Sequence, residues 1–230
     1  MDSPDELSDD DRTAVAELMA RERTRVRSLA LTMSNPTLAI TIVKSVYRQI
    51  DSLVEHVIRN RPPDYFDCRA GCSYCCTLRV SAFPVEIFGI AREIAKFDEP
   101  RRVALKQRLE AHAQLAHGVE VDDFFLVCPL LEDHKCSVYD VRPESCRVHM
   151  SLDVEACKDE TAPSIPKDSE LTLKGAALMM GAKEGFSVRR QVSASAELGQ
   201  CVRAAVADPA LEKKWFKGAD VFAAFRGPDD

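Results

Sequence analysis

Cysteine is the residue type whose number and spacing point to chemistry in this sequence. Four cysteines fall within the nine residues CRAGCSYCC, and four more follow before residue 158. Thiolates are soft ligands that suit zinc, iron or an iron–sulfur cluster and do not suit magnesium or calcium. Two four-thiolate sites would use all of them, although the spacing does not assign ligands to sites. The predicted metal ligands are Cys68, Cys72, Cys75, Cys76, Cys128, Cys136, Cys146 and Cys157.

The first four cysteines contain a C-x-x-C pair, Cys72 and Cys75, a spacing that lets two thiolates converge on one cation. In a helix, Cys68, Cys72 and Cys75 would share one face. In a tight turn, Gly71 would supply the backbone freedom that metal loops need. Both conformations stay open. Cys75 and Cys76 are neighbours whose side chains diverge, which favours two ions or a polynuclear centre.

The other four cysteines are spread over three predicted local structures. Cys128 and Cys136 flank a hairpin-like turn at Glu132–Lys135, between two short extended segments. Cys146 lies in the first turns of a short predicted helix, whose N-terminus should lower the pKa of the thiol and favour the thiolate. Cys157 follows in a predicted loop.

Basic residues and histidines near these cysteines are candidates for assisting a metal. His149 is a candidate ligand or hydrogen-bond donor to a ligand, and a structural role is equally compatible with its position. His134 is predicted to be an exposed turn residue. Arg142 and Arg147 bracket Cys146, where they would donate to thiolates and offset their charge, or pair with the nearby Asp140 and Glu144 on the surface.

The remaining features favour metal binding over disulfide bonding. The first residues, MDSPDELSDDDR, are acidic where a secretory signal would be basic and then apolar. We therefore expect a cytoplasmic location, where thiols stay reduced. The count of nine cysteines is odd, which argues against a complete disulfide framework. Cys201 stands apart in the helical stretch ELGQCVRAAV and is predicted to be a buried small apolar residue.

Composition and periodicity predict the elements that position the cysteines. The chain has 230 residues, 46% hydrophobic and 30% charged, with a net charge of −6, so neither nucleic acid nor a membrane is an expected partner. No apolar run is long enough for a transmembrane helix. Apolar residues at helical spacing predict a mainly α protein, with helical flanks packed around an irregular cysteine-rich metal-binding core that has short extended segments. The predicted helices cover 12–33, 37–59, 84–97, 100–116, a short stretch after Pro143, 170–183, 188–207 and 209–216.

This pattern predicts one globular unit with four consecutive parts. These are a disordered acidic lead over 1–11, an N-terminal helical segment over 12–63, a cysteine-cluster domain over 64–160 and a C-terminal helical segment over 161–230.

The ordered cysteine motifs also resemble a known family. CRAGCSYCC followed by CPLLEDHKCSVYDVRPESCR is similar to the CxxCxxCC cysteine-cluster proteins, whose shared domain is described as zinc- or iron-chelating. The resemblance covers roughly residues 65–160 and implies metal binding, but it implies no single reaction. One branch of the family contains flagellin lysine-N-methylase, and no motif in this sequence singles out that branch.

The sequence leaves three functions open. The first is a metal-binding protein whose multi-cysteine centre holds zinc, iron or an iron–sulfur cluster, with no assigned reaction. The second is an iron-dependent oxidoreductase or a methyl-transferring modification enzyme. The C-x3-C-x2-C spacing of Cys68, Cys72 and Cys75 occurs in radical enzymes, but their repeated βα pattern is absent, as are nucleotide-binding loops. The third is a thiol redox sensor, because a C-x-x-C pair can cycle with a disulfide.

Overall fold

A computed structural model describes residues 8–120, 123–159, 161–162, 164–189 and 194–227. Helices dominate these ranges, and the strands are only two residues long, which confirms the predicted mainly α class. The helices are α1 Asp9–Leu31, α2 Pro36–Asn60, α3 Pro84–Ile94, α4 Glu99–Ala116, α5 Glu144–Val148, α6 Val154–Lys158, α7 Ser169–Phe186, α8 Leu198–Ala207 and α9 Ala210–Phe216. The strands are β1 Ser81–Ala82, β2 Leu131–Glu132, β3 Lys135–Cys136 and β4 Ala196–Glu197.

The two N-terminal helices begin at capping side chains. Ser8 Oγ accepts a hydrogen bond from the Asp11 amide at 3.1 Å, so α1 begins three residues before the predicted start. Asn35 Oδ1 accepts from the Leu38 amide at 3.2 Å, and Pro36 opens α2. The first seven residues of the predicted acidic lead lie outside the described residues.

Helix α7 is the central element, because it packs along α1 and also contacts α2 and α5. Two glycines allow α7 to lie against α1. A Cβ atom on Gly181 would collide with the carbonyl oxygen of Met19, and one on Gly185 would lie 2.7 Å from Val26 Cβ. A Cβ atom on Gly175 would likewise collide with a methyl group of Val148 in α5. Helix α7 carries none of the eight clustered cysteines. It nevertheless positions α5, which carries Cys146.

Because α1 and α7 lie so close together, alanine substitutions at two helical glycines should affect stability differently. We expect Gly181→Ala to lower the free energy of unfolding by about 1–3 kcal/mol, because the added methyl group meets backbone. Gly89→Ala in α3 is the matched control, since its Cβ atom would lie 3.8 Å from the nearest atom, Ile40 Cγ2. That control should raise stability by about 0.5–1 kcal/mol. Urea denaturation of both variants measures the difference, and equal effects would contradict the packing argument.

The predicted helix over 188–207 is wrong at 188–189 and at 194–197. Residues 187–189 form a 3₁₀ turn, residues 190–193 lie outside the described ranges, and Ala196 of β4 pairs with Ala82 of β1. Helix α8 begins only at Leu198. Glu197 decides this start, because its carboxylate accepts from the amides of Gly199 and Gln200 at 2.8 and 2.7 Å.

One hydrophobic core includes residues from most of these helices and from the cysteine-rich segment. Cys201 in α8 is fully buried in it, as predicted. In the described ranges, every helix is too short or too polar to cross a membrane.

Candidate metal centre

The segment that carries the first four cysteines is a tight turn and not a helix. Gly71 has a φ of 89°, in the left-handed region that favours glycine, and the Cys72 amide donates to the Arg69 carbonyl at 3.0 Å. A 3₁₀ turn, Tyr74–Thr77, then carries Cys75 and Cys76. Of the two conformations that the sequence left open, the structure therefore has the turn.

Helix α6 lies against this turn and brings Cys157 to the first cysteines. The Ser151 amide donates to Cys68 Sγ at 3.2 Å, and the Val154 amide donates to the Asp67 carboxylate at 2.9 Å. Helix α6 also packs on the 3₁₀ turn. The prediction of a loop at Cys157 is wrong, because the Asp153 carboxylate caps a helix there by accepting from two amides.

A backbone hydrogen bond and a hairpin connect Cys128 and Cys136 to the same turn. The Cys128 amide donates to the Cys76 carbonyl at 2.7 Å. Strands β2 and β3 then form the predicted hairpin, with Asp133 and His134 at positive φ in its two-residue turn. This register places Cys136 opposite Leu131.

The charges of the clustered thiols act on one another's pKa values in two sets. In the first set, Cys68, Cys72 and Cys157, burial raises the pKa of Cys68, and the negative charges of Cys72, Cys75 and Cys157 raise it further. We call this set the first thiol group. Its members come from the turn and from α6.

The second set, the second thiol group, consists of Cys128, Cys136 and Cys146. Burial raises the pKa of Cys146 to about 12, and the charges of Cys136 and Cys75 add to the effect. Burial also raises the pKa of Cys128 to about 12, with further contributions from Cys146 and Cys136. The charge of Cys75 acts on thiols of both groups, and Cys75 lines the same cavity as Cys146.

Cys146 and Cys75 differ from what the sequence alone predicted for them. The predicted lowering of the Cys146 pKa by a helix N-terminus is wrong, because α5 has only five residues and burial outweighs its dipole. The expectation that the adjacent side chains of Cys75 and Cys76 diverge is wrong, because their thiols form a hydrogen bond. Their hydrogen bond is the first cause of a Cys75 pKa far above the usual range, followed by burial.

Two arginines place positive charge beside the second thiol group. Both Arg142 and Arg147 lower the pKa of Cys136, although burial outweighs them. Arg147 is buried and binds both carboxylate oxygens of Asp51 in α2, at 2.7 and 2.8 Å. The Arg147 guanidinium also donates to the carbonyl oxygens of Arg142 and Asp140. The alternative that Arg147 pairs with the carboxylates of Asp140 or Glu144 is therefore wrong.

The two candidate histidines have different surroundings. His134 is exposed, as predicted, with Nδ1 3.2 Å from Ser73 Oγ in the first cysteine segment. His149 is half-buried, and burial followed by the charge of Lys167 lowers its pKa to about 4, so its ring is neutral at neutral pH. Its Nε2 atom is buried without a hydrogen-bond partner among the described residues.

A cavity of about 340 Å³ lies beside the second thiol group, with Cys75 and Cys146 in its wall. The sequence did not indicate this cavity, because its walls come from the turn, α5 and α7. The same is true of Glu86, whose buried carboxylate accepts hydrogen bonds from Tyr47 in α2 and from the Glu144 amide at the start of α5. The local motif F-P-V-E, with proline at the first helical position and glutamate two residues later, signals only its capping role.

The donor set fits a soft metal. The eight clustered cysteines are half-buried and form no disulfide bonds. A bound dication would reverse the pKa increases, because a coordinating thiol is deprotonated outright.

The described side chains are not arranged as a closed metal site. Across the part of the chain that the structure describes, no group of three or more histidine, cysteine, aspartate or glutamate side chains has an arrangement that could hold a metal ion.

Fold and site together define a helical protein with a cysteine-rich irregular segment. Residues 67–163 match the family model of the CxxCxxCC domain, described as a "putative zinc- or iron-chelating domain". The match confirms the resemblance and supports metal binding by this segment. The eight clustered cysteines all lie within the matched range, and Cys201 lies outside it. Comparisons with the curated proteins and with the solved structures found no match.

Proposed function

We propose that this protein binds zinc or iron through the eight clustered cysteines, in two adjoining sites that hold its irregular segments together. The observation that carries the proposal is that the fold brings half-buried free thiols from separate segments against one turn, within a range that matches a zinc- or iron-chelating domain. The first thiol group would supply three ligands of one site, and the second thiol group three ligands of the other. Cys75 and Cys76, at the junction, are candidates for the fourth ligand of each.

Binding in this proposal is coupled to closure of the thiols around the ion. Thiolates repel one another when no cation is present, so side-chain rotation toward a common point becomes favourable only with a metal. Arg142 and Arg147 would offset part of the remaining negative charge. The same ligands suit an iron–sulfur cluster, which is the finer alternative for the occupant. The free thiols also fit the proposed cytoplasmic location, where they stay reduced.

The metal content of the full chain tests this proposal. We expect protein purified without air to contain about two zinc or iron ions per chain, since each of the two four-thiolate sites holds one ion. Elemental mass spectrometry counts the metals, and acid-labile sulfide with the visible spectrum separates an iron–sulfur cluster from thiolate-bound iron. Zinc without sulfide would identify closed structural sites. A chain that retains no metal, even after anaerobic reconstitution with zinc and with ferrous iron, would overturn the proposal.

A further inference from the structure

The cavity beside the second thiol group is larger than a metal site requires. It has a volume of about 340 Å³, whereas one water molecule occupies roughly 30 Å³ of liquid volume. A metal ion bound to Cys75 and Cys146 would therefore leave most of the cavity open. Small-molecule sites begin at roughly 300 Å³, so the remaining space suits a small organic ligand.

Two buried polar atoms belong to residues that line this cavity and lack a protein partner. Ser145 Oγ and His149 Nε2 have no hydrogen-bond partner within the described ranges. A buried polar atom without a hydrogen-bond partner is energetically costly. Such atoms therefore usually form a hydrogen bond with ordered water or a ligand. The hydroxyl group can donate, and a neutral imidazole can donate from one of its two nitrogens.

The charge and polarity of the other walls indicate the kind of ligand. Lys167 is exposed and places a cationic side chain at the rim. Arg79 is a second cationic residue of the lining, and Glu144 is its acidic residue. Leu78, Val80, Val148 and Ala176 supply an apolar surface.

We propose that this cavity binds a small carboxylic acid with an apolar chain, next to the metal-binding thiols. The carboxylate meets Lys167 and the donors of Ser145 and His149, and the apolar chain lies against Leu78 and Val148. The position beside a metal rests on the proposed function, whereas binding of the acid rests on the cavity itself. One side of the metal centre is then accessible to a ligand, which a purely structural metal site does not need.

Titration of the full, metal-loaded chain with hexanoate tests the proposal. We expect saturable binding by calorimetry or ligand-observed NMR, and none of hexylammonium, which has the same chain and the opposite charge. Affinity should rise about fourfold for each methylene group from butyrate to hexanoate, as burial of an apolar chain requires. Absence of hexanoate binding, or equal binding of both compounds, would overturn the proposal and leave a water-filled cavity.

Three variants locate the binding. Ala176→Phe should abolish hexanoate binding by filling the cavity, and Lys167→Gln should weaken it about tenfold by removing the charge-assisted contact. Lys174→Gln is the matched control on α7, because Lys174 pairs with Glu170 at 2.8 Å and lies outside the lining. Unchanged hexanoate affinity in both cavity variants would contradict the proposal.

Elemental analysis of each sample keeps this result separate from the metal proposal. A metal-loaded chain that does not bind hexanoate would refute only the ligand site. A metal-free chain that binds hexanoate in the cavity would refute only the metal centre.

Discussion

Cys146→Ser should remove about one of two metal equivalents, because the second thiol group then retains only two of its own thiolates. The variant should also lose roughly 5 kcal/mol of metal-linked stability, since structural zinc contributes about 10–16 kcal/mol in zinc-finger peptides and folding is coupled to binding. Metal per chain by elemental mass spectrometry and urea denaturation of the same samples measure both effects. Cys68→Ser should remove the other equivalent.

Cys201→Ser is the matched control for this experiment. The substitution is the same, but Cys201 is buried in α8 and lies outside the matched domain. It should lower stability by about 1–3 kcal/mol, because a hydroxyl group replaces a buried apolar thiol, and it should leave metal content unchanged. Loss of metal in this control, or full metal content in Cys146→Ser, would refute the assignment of ligands.

Glu86→Ala should lower the free energy of unfolding by about 3 kcal/mol or more, because it leaves three buried donors without an acceptor. The Glu86 carboxylate accepts from the Phe83 amide and Tyr47 Oη at 3.0 Å each, and from the Glu144 amide at 2.9 Å. It thereby joins α2 and α3 to the start of α5, two residues before Cys146. Burial raises the pKa of Glu86, because a buried charge is costly. Removal of that charge offsets part of the stability lost with the hydrogen bonds.

Glu93→Ala is the control on the same helix. Glu93 pairs with Lys96 at 2.6 Å in a partly exposed position. Such a pair contributes about 0.2–1 kcal/mol. Urea denaturation of the metal-loaded variants should therefore separate the two glutamates clearly, with Glu86→Gln between them because its amide oxygen can still accept. Equal losses for Glu86→Ala and Glu93→Ala would show that the buried network contributes little.

Local structure in this protein follows closely from local sequence. The apolar spacing predicted most of the helices, and their observed ends move by a few residues where a cap decides, as Ser8 does for α1. The hairpin turn at Asp133 and His134 was predicted from its residues. Each of these features depends on residues within a few positions of one another.

Distant contacts account for what the sequence did not predict. Helix α8 begins late because Ala196 pairs with Ala82, and Arg147 chooses Asp51 in α2 over carboxylates beside it in the chain. The cavity likewise needs walls from three separate segments. None of these partners leaves a periodic or spacing signal.

The cysteines show the same division most clearly. Their number and type determined that a soft metal is the expected ligand, since thiolate chemistry does not depend on the fold. Only the tertiary structure decided that Cys157 joins Cys68 and that Cys146 joins Cys128 and Cys136. Ser151, whose amide reaches Cys68, is 83 positions along the chain. Such pairings depend on how whole helices pack, because burial of their apolar faces, and not the spacing of the cysteines, sets which segments meet.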